Sequence, residues 1–426
     1  MSAGTLASQD RIGGIAPADL AERFGTPLYV YDLDIIDRQV ASLRAALPDG
    51  VDLAYAVKAN PALAVVAHLG RAGLGADVAS GGELATVLRA GIPPDRIVMT
   101  GPGKRDVELA AAVDAGIRAV TVESPGELGR LESIARAAGR RQALMLRMSV
   151  SGAGSHERVR LVGDEGAGKF GMDAADLAGA AHRASRSDHL ELVGLHAFGA
   201  SNVLDASVLV EHVATTAARA RQLAREVGVP LRIVDAGGGL GVPYQPDESP
   251  LAVDGLGGGI ADVVAGWADD PWLADARLLL EPGRFLVGPA GAYLARVVDT
   301  KTVDGRLVAI LDGGIHHVLR PALVRQEHQV RAFAGPGRQP TGPVTLAGPL
   351  CSGLDVLARD VILPRPEVGD LIAVMDVGAY GFTESMPFFL SHPMPAEVIV
   401  RAGRASLIRP RLDPGEWLDR QLAPAI

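Results

Sequence analysis

At 426 residues the chain is too long for one small core, which points to two domains or to one barrel with an appendage. A net charge of −9 argues against nucleic acid or an anionic membrane as the main partner, and 48% hydrophobic with 21% charged residues suits a globular protein. One cysteine excludes an internal disulfide framework. With no basic-then-apolar leader at the start and no apolar run of spanning length, a cytoplasmic location is expected, with neither nucleic acid nor membrane as partner.

The first thirty residues read as polar and loop-rich until Pro27-Leu28-Tyr29-Val30-Tyr31, a short strand. Asp32 or Asp34 can then cap a helix through about Leu47, with Ile35, Ile36, Val40, Leu43 and Leu47 on one face. From Val51 short apolar strands alternate with alanine-rich helical stretches. The strands are expected at Leu53–Val57, Gly75–Ala79, Ile97–Thr100, Ala119–Val122, Ala143–Met148, Leu192–Phe198, Leu231–Asp235 and Leu278–Glu281. Eight strands, most followed by a helix, is the count of a closed (β/α)8 TIM barrel, with an open doubly wound sheet as the alternative. After about Val287 the rhythm changes to strands and turns: Ala292–Asp299, Arg306–Asp312, Pro343–Ala347, Leu371–Met375, Glu397–Arg401 and Ala405–Arg409. The fold class is therefore α/β, a barrel over residues 30–288 with a C-terminal antiparallel β-domain (a sandwich or small barrel) from residues 1–29 and 289–426. Arg331 to Gly342, with its Gly-Pro-Gly and Gln-Pro-Thr-Gly turns, is expected to be a mobile loop. No solenoid repeat or low-complexity segment stands out.

The charged and glycine-rich motifs fall at strand ends, where a (β/α)8 barrel carries its active site. Leu53-Ala54-Tyr55-Ala56-Val57-Lys58-Ala59-Asn60-Pro61 reads as a buried strand ending in a lysine, and confinement in an apolar place would desolvate Lys58 and make it nucleophilic. The bland alternative is a snorkelling surface lysine. Asp235-Ala236-Gly237-Gly238-Gly239-Leu240-Gly241 lets backbone N–H groups approach an anion, and a following helix N-terminus would add a favourable dipole. Glu281-Pro282-Gly283-Arg284 adds a carboxylate and a cation, and His196 to Ser201 an imidazole and a hydroxyl. Singly these also read as a turn, a surface ion pair and a core histidine. Together, a lysine, a phosphate cup and a carboxylate make the inventory of a pyridoxal phosphate site, with no metal expected.

These motifs, with Gly348-Pro349-Leu350-Cys351 and Gly378-Ala379-Tyr380-Gly381, resemble the fold-type III pyridoxal phosphate decarboxylases, which include the diaminopimelate and ornithine decarboxylases. The resemblance runs from about Leu28 to Arg401 in family order and implies an alanine racemase-like barrel. It implies that Lys58 is the Schiff-base lysine, that His196 stacks on the cofactor ring with Arg147 and Asp77 lining the same floor, and that Glu281 pairs with the pyridine nitrogen. Gly238, Gly239, Gly283, Arg284, Ser201 and Tyr380 fall at phosphate-holding positions. Cys351 would come from the partner subunit of a head-to-tail homodimer and donate a proton after carbon dioxide leaves. Lys169 would pair across that dimer with Asp355, and Arg320 in Arg320-Pro321-Ala322-Leu323 would bind a substrate carboxylate.

One departure bears on the substrate. In relatives acting on ornithine, lysine or diaminopimelate, the residue after the cysteine is acidic and reads the distal amino group; here it is Ser352. A buried ammonium without an anionic partner is costly, so Ser352 argues against a diamino acid unless another carboxylate such as Asp312 substitutes. Val324 likewise replaces a tyrosine of the diaminopimelate enzymes. Gly101-Pro102-Gly103-Lys104-Arg105, Asp312-Gly313-Gly314-Ile315-His316-His317 and Phe389-Leu390-Ser391-His392-Pro393 resemble a narrower subgroup of secondary-metabolite and exopolysaccharide pathways, which includes a decarboxylase of carrier-bound glutamate. The expected reaction is decarboxylation of an amino acid, free or carrier-bound, in biosynthesis. The rival readings are diaminopimelate decarboxylase, a racemase using the same cofactor, and a non-catalytic regulatory homologue.

Overall fold

The computed structural model describes residues 11–150, 168–199, 201–334 and 338–423. These divide into two compact units: one holds Gln39–Pro243 and Ser249–Phe285, the other the chain up to Arg38, Tyr244–Glu248 and everything from Leu286. The short segment Tyr244–Glu248 thus leaves the barrel's stretch of sequence to join the second unit.

Strand β1 (Leu28–Asp32) belongs to the second unit and runs into a helix over Leu33–Ala46. Asp32 starts that helix, its Oδ1 accepting from the backbone N–H groups of Asp34 and Ile35. The first unit is a closed parallel barrel of β2 (Val51–Ala56), β3 (Gly75–Val78), β4 (Ile97–Met99), β5 (Ala119–Val122), β6 (Gln142–Arg147), β7 (Leu190–His196), β8 (Ile233–Asp235) and β9 (Arg277–Leu280). It closes by pairing Val51 to Leu53 of β2 with Leu278 to Leu280 of β9. All eight expected strands are present and the open-sheet alternative falls.

Ala54, Val98, Ala119, Met145, Val193, Ile233 and Leu279, one from each of seven strands, fill one layer of the barrel interior. Side chains two residues on along a strand share a face. Going up from Met145, Ile233 and Leu279, that rule puts Arg147, Asp235 and Glu281 inward at the C-terminal rim, and His196 is paired between Arg147 and Asp235. At the opposite end Asp52 binds Arg118 (2.7 Å) and Arg277 (2.6 Å), a bracing role suited to the bottom of such a barrel. Intervening helices are capped by Ser80, Ser124, Asp173 and Asp205, each side chain accepting a backbone N–H of the first turn.

The second unit is a nine-stranded sheet. Its strands after β1 are β10 (Gly291–Val303), β11 (Arg306–Leu311), β12 (Val330–Phe333), β13 (Pro340–Ala347), β14 (Val356–Pro364), β15 (Leu371–Met375), β16 (Ala396–Arg401) and β17 (Arg404–Arg409). Strand β1 is central, antiparallel to β10 and parallel to β16, so a strand from the start of the chain locks into the C-terminal sheet. Its Leu28 and Val30 pack with Leu294, Ala373, Val398 and Val400.

Three expectations are corrected here. The N-terminal stretch is not all loop: Pro17–Phe24 is a helix whose Leu20 and Ala21 join the sheet's core, and its proline start and short apolar face were the overlooked signals. Strands β12 and β14 were not anticipated. The segment expected to be a mobile loop therefore begins in β12, paired with β15, and ends in β13; its Gly-Pro-Gly lies outside the described residues.

Within this unit His316 and His317 stack at 3.8 Å between ring centroids, with His392 5.1 Å from His316. His317 is held by Tyr293 Oη (2.9 Å) and the Pro393 carbonyl (3.1 Å), whereas neither ring nitrogen of buried His316 has a hydrogen-bond partner. Burial, and then the neighbouring His392, lowers the His316 pKa to about 4; burial and then His316 push His317 well below its ordinary value. Both are neutral in the fold but charge near pH 6.5 when unfolded, so their contribution is intact above that value and is lost as pH falls toward about 4. Thermal unfolding should therefore shift to lower temperature between pH 7 and 5, and His316→Phe should flatten that slope. Identical slopes for the two proteins would contradict the assignment.

Candidate active site

The barrel rim gathers most of the charged residues singled out from sequence. Strand β2 ends at Ala56, and a 3-10 turn over Val57–Ala59 carries Lys58. Its Nζ lies 2.8 Å from Asp77 Oδ2, and Asp77 Oδ1 accepts from Thr100 Oγ1 at 2.6 Å. The Lys58 side chain is 40% exposed, which corrects the expectation of a desolvated amine. The extra turn lifts it out of the apolar strand, and a buried carboxylate takes the place of desolvation as its partner. Burial, then the charge on Glu281, raises the Asp77 pKa against the pull of Lys58.

Across the mouth, ligand atoms of His196, Asp235 and Glu281 lie within 4.8 Å of one another, and all three residues are buried. His196 Nε2 is 3.7 Å from Glu281 Oε2, while Gly237 N–H donates to Asp235 Oδ1 at 2.9 Å. Burial and then Glu281 push the Asp235 pKa well above the carboxylate range. Burial opposes charge on Glu281 too, but hydrogen bonding and charge from His196, with Lys58 and Asp235 adding, bring its pKa below the usual value. Glu281 Oε1, Asp235 Oδ2 and His196 Nδ1 are buried without hydrogen-bond partners among the described residues.

The glycine motifs let neighbouring chain segments approach closely at this rim. A Cβ on Gly238 would lie 2.4 Å from the Glu281 carbonyl, and one on Gly283 would lie 2.9 Å from Ala59 Cβ. Gly237 and Gly239 have φ of +64° and +102°, backbone that favours glycine. The helix expected directly after this run starts only at Val253, so no helix N-terminus follows the glycines directly. Ser201 and Arg284 sit in the same unit, Arg284 buried.

A surrounding set of residues fixes the rim. Arg147 donates to Glu123 Oε1 at 2.9 Å and lies 4.6 Å over the Phe170 ring. Glu123 also accepts from the backbone N–H groups of Gly101 and Gly171. Buried Lys104 pairs with Glu127 at 2.7 Å and donates to the Gly101 and Thr121 carbonyls, so it braces two strand ends. His212 Nε2 meets the Ala236 carbonyl at 3.1 Å and that of Ala197 at 3.4 Å, tying the histidine loop to the glycine loop. Sequence reasoning gave Glu123, Thr100, His212 and Asp235 no role. Glu123 and Asp235 stand at strand ends, the signal that picked out Glu281.

The remaining candidates belong to the second unit, except Lys169, which lies in the first. Cys351 is an exposed free thiol, and Ser352 Oγ accepts from Leu354 N–H. Asp355 accepts from Ile315 and Leu350 N–H groups, and Gly314 and Gly348 press against its carboxylate; it pins the cysteine loop. Lys169 lies 5.1 Å from the Phe170 ring. Arg320 binds Glu384 (2.7 Å) and Gln326 (2.9 Å), 5.2 Å over the Tyr380 ring. Asp312 accepts from Thr26 Oγ1 (2.5 Å) and Arg296 N–H (2.8 Å), ties internal to the sheet.

Comparison with known proteins identifies the family. Residues 33–288 match the family described as pyridoxal-dependent decarboxylase, pyridoxal binding domain. The chain is 37% identical over 420 residues to diaminopimelate decarboxylase of Methanothermobacter thermautotrophicus, covering 97% of this chain and 96% of that one. It is 31% identical over 397 residues, 92% of each chain, to the L-glutamyl-[BtrI acyl-carrier protein] decarboxylase of Niallia circulans. The crystal structure of diaminopimelate decarboxylase from M. jannaschii in complex with L-lysine superposes with a TM-score of 0.88 at 29% identity, covering 96% of this chain and 95% of that one. With a carboxylate, an imidazole and a lysine at the rim of a barrel matched along its length, the chain belongs to the pyridoxal-dependent decarboxylases and is a carboxy-lyase using pyridoxal phosphate.

Proposed function

We propose that the protein decarboxylates an α-amino acid, or an amino-acyl group on a carrier, whose side chain ends without an ammonium group. The observation that carries this reading is Ser352. A diamino substrate buried there would lack an anion, at a cost of about 3 kcal/mol or more, roughly a hundredfold in binding. Three acids of the same unit are already engaged: Asp355 by two backbone N–H groups, Glu384 by Arg320, Asp312 by Thr26 and Arg296. The carrier-bound glutamate enzyme among the relatives supports a substrate of this kind.

The barrel mouth fits the family's cofactor. The partnerless Glu281 Oε1 suits a ring N–H donor, and the glycines whose Cβ atoms would clash leave backbone donors for a phosphate. Bound pyridoxal phosphate supplies an electron sink for the pair left when carbon dioxide departs. In this reading Lys58 attaches it and Asp77 orients the lysine. His196 stacks against the ring and Arg147, set by Glu123, lines the floor. Gly238, Gly239, Gly283, Arg284, Ser201 and, from the second unit, Tyr380 hold the phosphate. Arg320 accepts a substrate carboxylate. Cys351, contributed by the partner of a head-to-tail homodimer, returns a proton to the α-carbon; its exposed thiol and place in the Gly-Pro-Leu-Cys motif support this.

A second reading, diaminopimelate decarboxylase of lysine biosynthesis, is favoured by the 37% identity over nearly the full chain. Carbon dioxide release from free glutamate, carrier-bound glutamate, meso-diaminopimelate, ornithine and lysine separates the two. The proposal expects meso-diaminopimelate to be a poor substrate; its rapid conversion to lysine would replace the proposal with the second reading. Ser352→Glu should raise kcat/KM for diamino acids at least about tenfold by restoring the anion.

Two variants test the chemistry. Lys58→Ala should abolish the visible absorption of lysine-bound cofactor and lower turnover by about 10³-fold or more. Cys351→Ala should leave that absorption intact and lower turnover about 10²-fold. A wild-type spectrum in the first, or unchanged turnover in the second, would remove that residue from its role.

A further inference from the structure

We propose that Asp235 is a positioning residue that stays protonated and donates its hydrogen to Glu281, holding Glu281 as the carboxylate that faces the cofactor's ring nitrogen. The inference deepens the reading of Glu281 given above and rests on it.

The geometry starts from β8 and β9, neighbouring strands whose inward positions Asp235 and Glu281 follow Ile233 and Leu279 of the apolar layer. Asp235 has no measurable exposure and Glu281 3%, so bulk solvent does not screen the two carboxyl groups, whose atoms lie within 4.8 Å. Two carboxylates this close in a dry place cannot both ionise; one keeps a proton. The surroundings decide which. Glu281 has His196 at 3.7 Å and the positive charge of Lys58 in its field. Asp235 lies within 4.8 Å of His196 as well, but its largest charged neighbours are Glu281 and then Asp77, both negative, and its hydrogen-bond donor is the backbone N–H of Gly237. The proton therefore resides on Asp235 Oδ2, which has no other partner, and the charge on Glu281. The pKa directions of the two groups agree with that division.

The arrangement has two consequences for the site. A hydrogen bond from Asp235 fixes the carboxylate of Glu281 and leaves its other oxygen for the ring nitrogen. The bond from Gly237 N–H to Asp235 Oδ1 couples this pair to the glycine loop, so the ring-nitrogen contact and the phosphate cup are held by one side chain. His196, Asp235 and Glu281 also have the composition of a metal-ligand set, which the experiment has to separate from a shared proton.

Asparagine mimics a protonated aspartate in shape and donor pattern, whereas alanine supplies neither donor nor acceptor. D235N should therefore keep the cofactor's visible spectrum and its dissociation constant within about threefold of wild type. D235A should weaken cofactor binding at least about tenfold, the scale of a lost hydrogen bond to a charged group. An infrared spectrum of the holoenzyme should contain the C=O stretch of a protonated carboxyl that D235N removes. This readout remains if D235A does not fold. Absence of that band, a D235N spectrum as perturbed as that of D235A, or a stoichiometric divalent metal in the purified protein would overturn the inference. Glu281→Gln tests the underlying reading separately: an unchanged cofactor spectrum there would remove Glu281 from the ring nitrogen, whatever the infrared result for Asp235.

Discussion

Three carboxyl groups, those of Asp77, Asp235 and Glu281, are taken out of water at one end of a single barrel, and bare charges so placed cost several kcal/mol each. The structure divides the available compensation among them. Asp77 takes Lys58 and the Thr100 hydroxyl, Glu281 faces His196, and Asp235 keeps a proton. Each assignment limits the next. Because Asp77 holds Lys58 at 2.8 Å, the lysine stays at the rim, and with Asp235 neutral, as proposed, Glu281 is the one of the pair that carries the negative charge.

Strand alternation brings these groups together, and a second set of residues keeps them there. Glu123, Lys104, Glu127 and His212 touch no reacting atom in the proposed chemistry, yet they tie the loops after β4, β5, β7 and β8 to one another. The opposite end of the barrel is closed by Asp52 with its two arginines. Rigid support of this kind lets a site carry several perturbed ionisable groups without loosening. In the second unit Asp355 does comparable work, fastening the loop that precedes Cys351 to the one that precedes His316.

The barrel was legible because its strands are short, apolar and separated by helix-period segments, and the pattern repeats eight times. The placing of Lys58, His196 and Glu281 at the rim was legible because each ends such a run, whereas Glu123 and Asp235, at strand ends too, were passed over. Legibility failed where meaning depends on three-dimensional pairing. Nothing local says that Glu123 organises Arg147, or that the aspartate before the glycine run lies against a carboxyl group 46 positions later. The environment of Lys58 was misread for the same reason: the apolar strand suggested desolvation, while Asp77 and a 3-10 turn that ends the strand lie outside what a hydrophobic run reveals. Strands β12 and β14 escaped because arginine and aspartate interrupt their apolar pattern.

Only four lysines occur in the chain, Lys58, Lys104, Lys169 and Lys301, and Lys104 is spent on a buried ion pair. Borohydride reduction of the holoprotein followed by peptide mass mapping therefore tests the attachment point most directly. The pyridoxyl mass is expected on the peptide that contains Lys58 and on no other. Label on Lys104, Lys169 or Lys301 with Lys58 unmodified would contradict the site described for this barrel.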